Sequence, residues 1–203
     1  MNGWLLDTNV LSELRRSKPD PAVTTWIELQ PSSSLHVSRV SLAEIRYGIE
    51  TAPEARRASL ATWLEAIREW VGGDNVIGVD EDTLVEWRRI IEASRSTGRP
   101  VGPPDTLIAA TAKQHQLCIA SRNASELGHI DVAIFNPWDN TLLMPGHRPQ
   151  KINGVMTLDQ VEAMYPRMKA VHIQKCDRNG DGVYTKSEML CVKSIYHAMY
   201  VEN

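Results

Sequence analysis

Short apolar runs alternate with stretches of helical spacing through the first 140 residues, and this alternation narrows the possible folds most. Trp4-Leu5-Leu6, Leu35-His36-Val37-Ser38 and residues 75–79, 117–121 and 132–135 each read as a strand bounded by turn residues. Between them lie helix-spaced sets: Val10, Leu11 and Leu14; Val23, Trp26 and Ile27; residues 40–49; Leu60, Trp63, Leu64, Ile67 and Trp70; Leu84, Trp87, Ile90 and Ile91. Residues 106–112 are mostly small, as suits a helix packed closely on a sheet. Such an order predicts an α/β fold, a parallel sheet flanked by helices on both faces. Gly48 lies inside a predicted helix, where it costs about 1 kcal/mol against Ala, and is read as permitting close packing or close ligand approach.

Composition divides the chain. All six Trp precede residue 140, whereas six of the seven Met and four of the five Tyr follow it. Residues 1–140 carry 14 Lys and Arg against 19 Asp and Glu, and residues 141–203 carry 8 against 6. The expected units are 1–140, a linker at 141–150 containing Pro145, Gly146 and Pro149, and a small all-α module at 151–203. Neither half is basic enough to bind nucleic acid by charge alone. With no leader-like N-terminus and no apolar run long enough to span a bilayer, a cytoplasmic protein without membrane contact is expected. Three cysteines without CxxC spacing argue against a disulfide framework, and Cys118 in an apolar run reads as core.

Asp7, Glu44 and Asp105 each fall where a strand or loop hands over to a helix, the edge at which such sheets collect ligands. Each also has a purely structural reading. Asp7 or Asn9 could cap a helix, Ser41-x-x-Glu44 fits a capping box with Val40 and Ile45 as its staple, and Asp105 after two prolines is a natural N-cap. If the three converge, they cannot all stay ionised without compensating charge. A hard divalent cation such as Mg²⁺ supplies it, and phosphodiester hydrolysis by a metal-activated water is the chemistry implied. Arg39, Arg46, Arg122 and Lys113 lie near these positions and could track a nucleic-acid backbone, or could simply be solvated.

Leu6-Asp7-Thr8-Asn9, Ser41-Leu42-Ala43-Glu44-Ile45 with Gly48, Asp105-x-x-Ile108-Ala109-Ala110-x-Ala112, Ser121-Arg122-Asn123 and Phe135-Asn136-Pro137-Trp138 occur in an order that resembles a PIN domain. More narrowly, they resemble the VapC and FitB toxins of bacterial toxin–antitoxin pairs. The resemblance covers residues 1 to about 140 and implies a metal-dependent endoribonuclease, inhibited by a cognate antitoxin and forming a homodimer or larger assembly. Asp7, Glu44 and Asp105 match the family's acidic metal positions, for Mg²⁺ or Mn²⁺. Thr8 and Asn9 match the polar residues beside the first acid. A fourth acid is common in the family after the Ser121 strand; here the candidates are neutral Asn123 and Glu126, which favours one metal over two. Asn123 joins the expected catalytic set, and Thr8, Asn9, Arg122 and Glu126 the expected substrate contacts. The alternative is a PIN fold that has lost catalysis and only binds RNA or a partner.

Residues 177–188 fit an EF-hand loop. Asp177, Asn179, Asp181, the Val183 carbonyl, Thr185 and Glu188 stand at the six ligand positions for Ca²⁺, with Gly182 at the tight turn. Helices are expected over 161–175 and 188–200. Aligning Gly154 with Gly182 puts Met156 at position 8 of a worn first loop, with Pro149 and Lys151 at ligand positions. That loop should bind no metal and would only pack against its partner, or it is an unrelated turn.

Overall fold

Trp4, Leu5 and Leu6 are all buried, and they alternate between the two faces of the sheet that β1 (Trp4–Leu6) centres. The computed structural model describes residues 3–96, 102–127, 130–145, 150–151, 155–157, 161–162, 165, 168–178, 180, 183–196 and 198–199. In chain order the first half continues with α1 (Thr8–Leu14), α2 (Pro21–Glu28), β2 (Leu35–Ser38), α3 (Arg39–Glu50), α4 (Glu54–Val71), β3 (Val76–Ile77) and α5 (Glu81–Ser96). Then come α6 (Pro103–Gln114), β4 (Cys118–Ala120), α7 (Ala124–Leu127) and β5 (Ile134–Asn136). After these follow β6 (Thr141–Leu143), β7 (Gln150–Lys151), β8 (Val155–Thr157), α8 (Ala170–Gln174), β9 (Val183–Thr185) and α9 (Lys186–Tyr196).

Among the described residues the main sheet runs β3-β2-β1-β4-β5-β6-β7. The first five strands are parallel, as the alternation predicts, and β6 and β7 add an antiparallel edge. Trp4 and Leu6 face one layer with Val10, Leu11, Trp26, Leu64 and Phe135. Leu5 faces the other with Ile108, Ala109, Ile119 and Ile134. Trp4, Trp26 and Phe135 stack at centroid distances of 5.2–5.4 Å, a large apolar contact under the centre of the sheet. Small residues on α6 allow its buried face, Ala109, Ala110 and Ala112, to lie close on the strands. Cys118 is fully buried in β4, and burial pushes its thiol up.

Four expectations need correction. Thr141–Leu143, read as linker, pairs with β5, because Leu142 and Leu143 gain burial on the sheet that a free linker would forgo. The tail is not all-α: β8 and β9 pair antiparallel with Val155 opposite Thr185 and Met156 opposite Tyr184. The helix expected over 161–175 is interrupted at Tyr165 and Lys169, as the proline after Tyr165 in the sequence requires. Cys176 and Cys191 form a disulfide, their Cα atoms brought to 5.6 Å by the return of α9 beside α8, a proximity that spacing along the chain does not reveal.

The Trp4/Leu6 apolar layer also continues into the tail through Val161, Tyr165, Met168, Ile173, Tyr184, Val192 and Tyr196. Lys193 Nζ donates to the Glu28 carbonyl at the end of α2.

Candidate active site

β1 ends on Asp7, and its neighbours β2 and β4 run parallel to it, with Leu6 opposite both Val37 and Ala120. The residues that follow these three strands therefore gather at one edge of the sheet. Asp7 is the N-cap of α1: its Oδ1 accepts from the Thr8 amide at 2.7 Å. The capping role read from sequence is real, and it does not exhaust the carboxylate. Oδ2 accepts from Ser121 Oγ at 2.6 Å and from Asn9 Nδ2 at 2.6 Å. Ser121 Oγ accepts in turn from Asn9 Nδ2 at 3.0 Å and from the Asn123 amide at 3.0 Å.

The structural readings of the other two acids fail. Ser38, not Ser41, caps α3, accepting from the Val40 amide at 3.1 Å. Ser41 lies inside the helix, buried, and its hydroxyl has no hydrogen-bond partner among the described residues. Glu44 is released from any capping box, and its Oε2 accepts from Thr8 Oγ1 at 2.7 Å, reaching across to the first residue of α1. Gly102 is the N-cap of α6, with Pro103 and Pro104 in the first turn, so Asp105 stands one step further in, where a carboxylate meets the positive end of the helix.

Asp7 is only 6% exposed. Burial pushes its carboxyl above the usual range; hydrogen bonds from Ser121 and the Thr8 amide pull it back, and the nearby charges of Asp105 and Glu44 push it up again. The arrangement stores negative charge in a poorly hydrated place. Its donors are all oxygens, the chemistry that Mg²⁺ or Mn²⁺ takes. Among the described residues no three His, Cys, Asp or Glu side chains converge closely enough to cage a metal. Mg²⁺ does not require such a cage, since it is commonly held by one or two carboxylates and keeps several waters. By donor chemistry and charge, Asp7 with Asp105 and Glu44 beside it fits that mode of binding.

Of the expected substrate contacts, Thr8 and Asn9 are tied into the carboxylate network as above. The Arg122 amide donates to Asn9 Oδ1 at 3.2 Å. Its guanidinium lies 4.3 Å from the Trp138 ring centroid and 3.3 Å from Glu13 Oε2. Asn123 holds its amide on Ser121 and its carbonyl on the Leu127 amide. The Glu126 side chain lies outside the described residues. Lys113 pairs with Glu86 at 2.9 Å and Asp131 at 3.3 Å, at the end of α6 remote from Asp105, so it cannot serve this site. Arg46 pairs with Glu50 on an exposed helix face. A Cβ on Gly48 would meet nothing within 4 Å, so close packing does not explain that glycine. Ser121, Glu13 and Trp138 are the functional neighbours that sequence reasoning missed. Ser121 could have been found, as a hydroxyl that directly follows a buried strand adjacent to β1.

In the tail, Asp177 Oδ1 accepts from the Gly180 amide at 2.8 Å, and Glu188, 3% exposed, accepts from the Arg178 amide at 3.0 Å. Asn179, Asp181 and Gly182 lie outside the described residues, as do the side chains of Val183 and Thr185.

Comparison with known proteins matches residues 4–131 to the PIN domain. The VapC ribonuclease Y4jK of Sinorhizobium fredii is 32% identical over 136 residues, covering 66% of this chain and 97% of that protein. Toxin FitB of Neisseria gonorrhoeae is 32% identical over 135 residues, covering 66% and 97%. The solved structure of FitAcB from Neisseria gonorrhoeae superposes with a TM-score of 0.62 at 32% identity, over 66% of this chain and 98% of that one. With a buried acid after β1, a second acid on α3, a third on α6 and a parallel sheet that aligns them, the chain belongs to the PIN domain family, among the VapC and FitB toxins.

Proposed function

We propose that residues 4–131 are a metal-dependent endoribonuclease, the toxin of a toxin–antitoxin pair. The observation that carries this reading is Asp7: a buried carboxylate raised by desolvation, beside Asp105 and Glu44, yet held by Ser121, Asn9 and Thr8 in a fixed orientation. Such a group is costly unless a cation completes it. When bound there, Mg²⁺ or Mn²⁺ would supply positive charge to the phosphate and lower the pKa of a water nucleophile. The chain's own residues do the positioning: Ser121 and Asn9 orient Asp7, Thr8 orients Glu44, and α6 presents Asp105. RNA as substrate is supported by the relatives named VapC ribonuclease and, at 28% identity, tRNA(fMet)-specific endonuclease VapC. A cognate antitoxin and a homodimeric or larger assembly are proposed with it, in line with the solved FitAB complex. The test is cleavage of RNA by the full chain with Mg²⁺ or Mn²⁺, abolished by chelation and reduced at least a hundredfold in Asp7→Asn. Cleavage that survives either change would overturn the metal-dependent site at Asp7, and RNA binding without cleavage in the parent would replace this reading with the non-catalytic one.

A second reading, Ca²⁺ binding at 177–188, is favoured by one observation. The β8–β9 register sets Met156 opposite Tyr184, the two residues at position 8 of the worn and working loops. Glu188, at position 12, is also buried and hydrogen-bonded back to the start of the loop, which draws the two ends of the loop together. Calorimetric titration of the full chain with Ca²⁺ should show binding that Glu188→Gln removes.

A further inference from the structure

Glu13 is a buried charged residue outside the metal site, and the start of α2 accounts for only one of its two oxygens. It lies one turn beyond Asn9 on the same face of α1 and is 4% exposed. Its Oε1 accepts from the Asp20 amide at 3.0 Å, while Oε2 faces two guanidinium groups, Arg122 at 3.3 Å and Arg16 at 3.3 Å. One carboxylate thus meets two cations, so the cluster keeps an excess positive charge in a half of the chain that is otherwise net negative. Arg122 is the more fixed of the two. Its backbone is tied to Asn9, its guanidinium is stacked on Trp138, and half of its side chain remains open to solvent. A guanidinium that is held at its base, spends one of its donors on Glu13 and shows the rest outward is prepared for a bidentate anion.

We infer that Arg122, positioned by Glu13 and Trp138 and assisted by Arg16, binds the RNA backbone phosphate adjacent to the one cleaved, a proposal that rests on the ribonuclease reading. The placement sets the register. Asn9 and Glu13 are neighbours along the helix, about 5–6 Å apart at their Cβ atoms, so the contacts that hold Asp7 and the Arg122 guanidinium start from residues one helical turn apart. That offset suits the next phosphate along a strand whose scissile phosphate lies at Asp7. Glu13 and Trp138 are positioning residues, since they act only through Arg122.

The test uses the full chain and a fluorescently labelled single-stranded RNA that the parent cleaves in Mg²⁺. Arg122→Ala should raise KM about tenfold, the loss expected for one charge-assisted contact, with a much smaller change in kcat. The slope of log kcat/KM against log salt should become shallower by about 0.7, the share of one phosphate on a single strand. Arg122→Lys, which keeps the charge and loses the fork, should recover part of the affinity, and Glu13→Gln should shift KM in the same direction as Arg122→Ala. An unchanged KM and salt slope in a folded Arg122→Ala protein would overturn the proposal and leave the ribonuclease standing, as would a fall in kcat alone. If Arg122→Ala melts early, the Arg122→Lys and Glu13→Gln measurements decide by the same criteria. A parent that cleaves no RNA removes the ribonuclease reading and this one together.

Discussion

Replacing Ser121 by Ala isolates the physics of the site, because Ser121 is fully buried and touches no solvent or expected substrate. Its hydroxyl donates to Asp7 Oδ2 at 2.6 Å. A hydrogen bond to a charged group is worth about 1.5–3 kcal/mol, and it stabilises the ionised carboxylate far more than the protonated one. Its loss should therefore push the Asp7 pKa higher still. The starting point matters: burial already holds this carboxyl above its usual range. A carboxyl whose folded pKa is raised favours folding at pH values below its unfolded pKa, and that advantage is withdrawn as pH rises through the folded value. The metal-free variant should therefore be less stable than the parent at neutral pH, with the gap narrowing in acid. Cation binding needs the carboxylate, so the acid limb of the cleavage profile should also move to higher pH. Two measurements check this: a carboxyl-carbon NMR titration of Asp7 in the metal-free protein, and kcat/KM from pH 5 to 9 at fixed Mg²⁺. An acid limb and an Asp7 titration both within 0.3 units of the parent's, in a folded variant, would refute the reasoning.

Two further outcomes concern the scaffold. Gly3 adopts φ +142°, and a Cβ there would lie 2.5 Å from the Ser34 carbonyl oxygen, so Gly3→Ala should cost about 2–4 kcal/mol, read as a lower urea midpoint at unchanged slope; a loss under 0.5 kcal/mol would contradict the crowding. The Cys176–Cys191 bridge spans 15 residues, a separation for which chain entropy gives about 3 kcal/mol; reduction should speed amide exchange in α8 and α9 and leave β1 and β4 protected, whereas equal acceleration everywhere, or none, would argue against a local staple.

Much of this fold was legible because a parallel sheet leaves a strong signature. β1 and β4 are short runs buried on both faces, and such strands must be apolar throughout. The acids were legible as positions and not as roles. Spacing supports a capping box at Ser41 and Glu44, yet Ser38 takes the cap because β2 ends there and α3 begins at Arg39, about one turn before a helix capped by Ser41 would. Asp105 was displaced from the cap for a related reason, since Pro103 and Pro104 are themselves suited to the first turn of a helix. Glu13 was invisible because its importance is set by what stands one turn along α1, and Ser121 was legible only as a hydroxyl after a buried strand, since its partner Asp7 stands across the sheet. β6 was missed because a three-residue antiparallel strand that follows a turn and is half-buried at Thr141 has too little periodicity to separate from a linker.

The tail presents a different energetic problem from the domain that precedes it. A unit of about 60 residues buries a small share of its surface and is marginal alone. Here that deficit is met in three ways. β6 and β7 extend the main sheet, the apolar residues around Tyr165, Tyr184 and Tyr196 continue the Trp4/Leu6 layer, and Cys176 is bonded to Cys191 across the helices that flank residues 177–188. The bridge is at odds with the expectation of a reducing compartment drawn from the N-terminus, since disulfides persist mainly where thiols are oxidised. Burial reconciles part of the conflict. Exchange requires a thiolate to reach a sulfur; Cys176 is fully buried and Cys191 partly so, which closes one end of the bridge to attack and narrows access to the other. The packing that the bridge supports therefore shields it at Cys176, and the rate at which a reductant attacks through Cys191 becomes a measure of how firmly α9 is held.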